Sequence, residues 1–233
     1  QPLSHKQFLK YKEKDLEVRL TIGKSVPKSW FERLSGNKIL GLACGGGQQA
    51  PILAAHGYDV TVMDFSEKQL EGDRLVAKRE SLEIKTVRSD MTEKFPFEDN
   101  SFDGIFCPVS NCFIDSLEQT WRECYRVLKP NGLLMVGYLN PWLYIFDADT
   151  VWEHPEKTLE PKYQLPFNSR ELEKSGQIKI DPNHGYEFSH TWEAQIGGQI
   201  NAGFSIIGFY ESNDQRSRLS NYGSLYLANL AIK

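Results

Sequence analysis

The segment Lys38-Ile39-Leu40-Gly41-Leu42-Ala43-Cys44-Gly45-Gly46-Gly47-Gln48-Gln49 runs an apolar, strand-like stretch straight into a glycine-rich turn, and a helical pattern follows from Gln48. Residues without a Cβ let the backbone approach a ligand closely, and the start of a helix favours negative charge. The next strand pattern, Asp59-Val60-Thr61-Val62-Met63-Asp64, ends in a carboxylate about 20 residues on, where it can accept hydrogen bonds from both hydroxyls of a ribose. Turn and carboxylate together predict a nucleoside cofactor.

Working outward, strand patterns cover 38–44, 59–64, 84–89, 102–108 and 132–139, with helical patterns near 48–56, 66–81 and 116–128. Short strands alternating with helices predict an α/β fold, a parallel sheet wound on both faces. The dinucleotide fingerprint G-x-G-x-x-G is incomplete, because Gln48, Gln49 and Ala50 follow Gly47, and no G-x-x-x-x-G-K-[ST] phosphate loop occurs.

The glycine segment resembles motif I of the class I S-adenosylmethionine-dependent methyltransferases, commonly hydrophobic-D/E-hydrophobic-G-x-G-x-G. Gly41 stands where that motif carries its acid, one usual anchor for the methionyl end of the cofactor, and Ala43 replaces the first glycine. Three further blocks are similar in order and spacing: Ile84–Met91, Phe97–Phe106 and Tyr125–Val136. The resemblance covers roughly residues 36 to 139. It implies a doubly wound, mostly parallel seven-stranded Rossmann-like sheet, with S-adenosyl-L-methionine as cofactor and methyl transfer to a small molecule as the activity. The cofactor-binding positions it implies are Gly41, Ala43, Cys44, Gly45, Gly47, Asp64, Phe65, Asp90, Met91, Pro108 and Val109. Asp90 and Met91 would read the adenine. Gln48 and Gln49, at the helix start, are candidates for the amino-acid end. The forms Gly45–Gln49 and Pro108–Asn111 look closest to a subgroup of small methyltransferases of mostly unassigned substrate. Two alternatives stay open at this point: a non-catalytic S-adenosylmethionine-binding protein and an NAD(P)-dependent oxidoreductase.

The flanks carry fewer signals. An amphipathic helical pattern over 4–22, and a second short one after Pro27 containing Trp30, Phe31 and Leu34, predict an N-terminal helical cap over 1–36. The methyltransferase domain would then occupy 37–233. Within it, the proline- and aromatic-rich stretch 140–189 is too long for an ordinary connection and is expected to be a lid or substrate insertion. A helix near 191–202 and strands near 204–211 and 224–232 would complete the sheet.

No residue marks itself as catalytic. His154, His184 and His190 are the candidates for a general base, Asn111 for a substrate contact, and Trp142, Tyr144, Phe146 and Trp152 for an aromatic cage. Tyr11 is a candidate for closing over the cofactor. Cys107-Pro108-Val109-Ser110 departs from the [D/N/S]-P-P-[Y/F/W] of enzymes that methylate nucleic-acid bases. The net charge of −4 also argues against a phosphate-backbone partner. The 4 cysteines form no C-x-x-C pair and have no histidine at ligand spacing, so no metal is expected and the thiols read as buried and free, as in the cytoplasm. No apolar run approaches the ~18 residues of a membrane span.

Overall fold

The computed structural model describes residues 1–152, 154, 156–181 and 185–233. Helix α1 (His5–Lys12) opens on a capping box, in which Ser4 accepts from the Gln7 N–H and the Gln7 side chain returns to the Ser4 backbone. A single turn, α2 (Lys28–Phe31), precedes β1 (Lys38–Leu42). The alternating part then runs α3 (Gln49–Ala55), β2 (Asp59–Asp64), α4 (Glu67–Glu80), β3 (Ile84–Arg88), β4 (Phe102–Cys107), α5 (Glu118–Val127) and β5 (Leu128–Leu139). After it come α6 (Ala148–Trp152), α7 (Ser169–Lys174), a π-helical turn Glu193–Gly197 running into α8 (Gly198–Ala202), and strands β6 (Ser205–Ser212) and β7 (Tyr226–Ile232).

The seven strands form one sheet in the order β3-β2-β1-β4-β5-β7-β6. The first five are parallel, and β7 is inserted antiparallel between β5 and β6. Side chains alternate across it with the strand period. Ile39, Phe106, Leu133 and Met135 pack with Trp30, Leu53 and Leu70 on one face. Leu40, Leu42, Ile105, Leu134 and Val136 pack with Trp121, Cys124 and Phe204 on the other. A fully buried side chain of this size stabilises the fold by roughly 1.5–3 kcal/mol, so both faces must be covered, and α1 to α4 cover one while α5 and α8 cover the other.

Two boundaries differ from expectation. The N-terminal helix stops at Lys12 rather than near residue 22. Beyond it Val18 and Leu20 are buried while Arg19 between them is exposed, a period of two that suits an extended segment. That segment crosses the carboxyl ends of the strands, where the Leu20 carbonyl accepts the Val109 N–H at 3.0 Å. Strand β5 begins at Leu128 rather than at the expected 132, and so takes in the turn-forming residues Pro130-Asn131-Gly132. Asn131 takes φ 64° there, and the register against β4 shifts between Phe102 and Gly104. The turn chemistry therefore makes a bulge inside the strand rather than its start.

Candidate functional site

Strand β1 connects onward to β2 on one side and lies beside β4 on the other, so the sheet reverses at its carboxyl end, where open α/β sheets bind ligands. The glycine turn fills this point. Ala43 has φ 46°, Gly46 φ 112° and Gly47 φ 70°, and the last two values favour glycine strongly. The N–H groups of the turn's three glycines are engaged within the protein. Gly45 donates to Asp64 Oδ2 at 3.0 Å, while Gly46 and Gly47 donate to the two oxygens of Asp73 at 3.1 Å each. The close backbone approach expected of this turn is therefore not made through these three N–H groups. Asp64 Oδ1 also accepts the Ser66 N–H at 2.9 Å, but each carboxylate oxygen keeps a second lone pair for a ribose hydroxyl.

A cleft of about 1240 Å³ runs along this edge from the end of β3 to the start of β7, some 24 Å at ~4.8 Å per strand. Ala43, Cys44 and Gly45 line it from the turn, Asp64 and Phe65 from the end of β2, Asp90 and Met91 from the end of β3, and Pro108 and Val109 from the end of β4. Gly41 and Gly47 do not line it. Gly41 is buried within β1 and faces the Cys44 sulfur, while Gly47 faces the backbone of Gly72 on α4. Asp90 also serves the local chain, accepting from the Thr92 N–H and hydroxyl at 2.8 Å each, both on Oδ1.

Four residues that sequence reasoning passed over belong to the site. Arg19 lines the cleft beside Gln48 and Gln49, and its N–H donates to Gln49 Oε1 at 2.9 Å. The alternation Leu16-Val18-Leu20 was the signal that this stretch is extended and carries Arg19 outward. Gln69, one turn into α4, lines the cleft, and its carbonyl accepts the Gly46 N–H. Asp73, a charged residue at a core position of α4, is fully buried. Glu187 enters from the insertion, next to Phe188, whose N–H donates to the Cys112 carbonyl at 2.8 Å.

The other candidates lie elsewhere. His190 is buried and donates through Nε2 to the Asn111 carbonyl at 3.0 Å. Desolvation holds its pKa below the usual value. His154 pairs with Asp149 and Glu156 on the surface, and His184 falls outside the described residues. Asn111 turns into the core and donates to Gln195 Oε1 at 2.6 Å, so it fixes the loop after β4. Trp142 donates to the Ser224 carbonyl and packs edge-on against Phe146, and Tyr144 stacks on Phe167 at 5.1 Å. These aromatics cement the insertion rather than line the cleft. Tyr11 packs against the core beside α3. All 4 cysteines are free and buried.

The lining suits an adenosyl cofactor. Phe65 is 64% exposed beside Asp64, an apolar face for a purine next to an acceptor for ribose hydroxyls. Met91 adds an apolar side chain and Arg19 a cation for a carboxylate. Comparison with known proteins agrees. Residues 40–136 match the family model described as a methyltransferase domain. The protein named uncharacterized methyltransferase YbaJ, from Bacillus subtilis, is 43% identical over 224 residues, which span 95% of this chain and 86% of that one. A sterol 24-C-methyltransferase from Gibberella zeae is 36% identical over 119 residues, 49% of this chain and 30% of the other. An S-adenosylmethionine-dependent methyltransferase from Mesorhizobium loti has the same fold, with a TM-score of 0.67 over 88% of this chain and 95% of that one at 19% identity. With the sheet order, the braced turn and these matches in hand, the chain belongs to the class I S-adenosylmethionine-dependent methyltransferases.

Proposed function

We propose that the cleft methylates a small molecule carrying an O–H or N–H group, with Asp64, Phe65, Asp90 and Met91 holding the adenosine portion of the cofactor. The other named positions that line the cleft, Ala43, Cys44, Gly45, Pro108 and Val109, complete the cofactor's bed, and Gly41 and Gly47 shape it from behind. Bound S-adenosylmethionine supplies an electrophilic methyl group on a sulfonium. The chain aligns the acceptor with that methyl, excludes water, and takes up the proton the acceptor releases. Residues 140–189 are the acceptor-side cover, and the domain proper spans 37–233 with 1–36 as its N-terminal cap.

One observation carries the choice of a protic acceptor: Glu187 lines the end of the cleft that receives the insertion. No histidine among the described residues lines it. Its other ionisable neighbours are held protonated. Burial pushes the Cys112 thiol and the Tyr226 hydroxyl up to about 12, and Tyr144, behind them, higher still. Asp64 and Asp90 accept from the backbone at the opposite end. Glu187 is thus the residue placed to take up the proton that the acceptor's O–H or N–H gives up. The net charge of −4 and the free thiols support a small-molecule acceptor and a cytoplasmic setting over a nucleic-acid partner.

Calorimetric titration with S-adenosylmethionine, S-adenosylhomocysteine and NAD tests the cofactor half. The adenosyl ligands should bind and NAD should not. Asp64→Ala should weaken them at least about tenfold, the loss expected for a charge-assisted pair of hydrogen bonds worth roughly 1.5–3 kcal/mol. The acceptor half is tested by incubating the protein with methyl-labelled cofactor and a cell extract. Label should enter the low-molecular-mass fraction, and Glu187→Gln should slow this about 10²-fold or more with cofactor affinity unchanged. Label appearing in protein or nucleic acid instead would reject the small-molecule reading.

A further inference from the structure

Asp73 is fully buried in the side of α4, and the N–H groups of both Gly46 and Gly47 point at it. The packing around this contact leaves no room to slide. A Cβ on Gly72 would fall 2.9 Å from the Gly46 carbonyl carbon, and one on Gly47 would meet the Gly72 backbone. At Gly41, where the related motif carries an acid, a Cβ would run into the Cys44 sulfur. The strand therefore offers no anchor for the turn, and the helix behind it offers one. We propose that Asp73 is a positioning residue that stands in for the absent strand acid, bracing the glycine turn from α4 and thereby shaping the subsite for the amino-acid end of the cofactor.

The proposal rests on the cofactor reading above and deepens it. Its logic is division of labour between two carboxylates. Asp64 holds Gly45 and lines the cleft, so it can also touch the ligand. Asp73 holds the next two residues from the far side and lies outside the cleft, so it acts only through the turn. Ala43, Cys44, Gln48 and Gln49, which flank those residues, all line the cleft. A turn with the Gly47 N–H released and the Gly46 N–H left on the Gln69 carbonyl alone would misplace them together. The ionised form is the one the turn needs, because an unprotonated carboxylate presents an acceptor to each N–H, whereas a protonated carboxyl turns a hydroxyl toward one of them.

The test is titration of wild type and Asp73→Asn with S-adenosylhomocysteine and with adenosine, which lacks the amino-acid end. Asp73→Asn should weaken S-adenosylhomocysteine at least tenfold and adenosine less than threefold. Equal weakening of both ligands, or no weakening of either, would overturn the positioning role. Should the variant not fold, the wild type supplies a second measurement. The charged and titratable groups that act on Asp73 are Asp64, Arg74 and the Cys44 thiol, and the thiol stays protonated. Burial lifts the Asp73 carboxyl to about 7. Wild-type affinity for S-adenosylhomocysteine should then fall roughly tenfold between pH 8 and pH 6, while its affinity for adenosine stays level. A flat profile for both would overturn the proposal. If wild type binds neither ligand at any pH, the cofactor reading itself fails, and that result is distinct from a variant that binds as well as wild type.

Discussion

Asp73 is the most consequential side chain that the sequence conceals. On α4 it sits in the helical register with Leu70, Val76 and Ala77, all buried, so its position belongs to the apolar face while its chemistry does not. A carboxylate there signals a buried partner, but nothing in the sequence says that the partner is the glycine turn, because the contact closes across 26 and 27 residues. Asp64, by contrast, was legible: it ends a strand, it follows a glycine turn at the usual separation, and Ser66 is free to cap α4 in its place. Asp73 also leaves a thermodynamic trace. Burial raises its folded-state pKa to about 7, against ~3.9 for an unperturbed aspartate, so the folded state binds this proton more tightly than the unfolded chain. Its contribution to stability is then complete below about pH 4 and is lost as pH rises through 7, a change of up to about 4 kcal/mol. Urea unfolding of wild type and Asp73→Asn at pH 5.5 and pH 8 checks this. Wild type should lose stability relative to the variant at the higher pH, and a pH-independent difference would mean that Asp73 does not titrate in this range.

Elements with a strong period and a local cap were readable, and those whose structure comes from distant contacts were not. The alternation Ile39-Leu40 and Leu133-Leu134-Met135-Val136, one residue to each face, identifies strands buried on both sides wherever it occurs. The segment 13–22 has enough charge and scattered leucine to imitate a helix, yet residues 16–20 lie extended and 21–24 turn the chain back on itself, because Val18, Leu20 and Val26 are captured by the core and the Leu20 carbonyl by Val109. Such capture is a tertiary effect that local propensity cannot report. Its tightness can be tested at Gly137 on β5, where an added Cβ would collide with the Leu20 carbonyl. Gly137→Ala should destabilise the fold by about 1–3 kcal/mol through overpacking, lowering Tm by about 2–4 °C per kcal/mol in a chain of this size. Because Leu20 and Val109 both line the cleft, the same change should weaken S-adenosylhomocysteine, and scanning calorimetry with and without that ligand measures both effects. An unchanged Tm would show that the segment yields, and that it is not a fixed wall of the cleft.

At the scale of the molecule, the two ends of the cleft differ in how their walls are made. The end proposed to hold the cofactor is built from the carboxyl ends of β1 to β4 and the turns behind them, all within the parallel part of the sheet, so the strand ends that line it follow directly from the alternating pattern of strands and helices. The end proposed for the acceptor adds Glu187, Gly185 and Tyr226, brought in by a long insertion and by the strand that runs against the others, and the sequence order alone does not bring these together. A ligand that fills the cofactor end should therefore stabilise the whole sheet without any acceptor present. At a concentration of 100 times its Kd, a ligand that binds only the folded state adds about 2.7 kcal/mol. With about 2–4 °C per kcal/mol, S-adenosylhomocysteine should raise Tm by roughly 5–11 °C under that condition, and NAD at equal concentration should leave it unmoved. Because Asp64 holds both the turn and the expected ribose site, the shift should shrink sharply in Asp64→Ala. A full shift retained in that variant would mean that the adenosyl ligand is gripped from the far side of the cleft, by Arg19 and the helix start of α3, and that the strand ends contribute shape but little affinity.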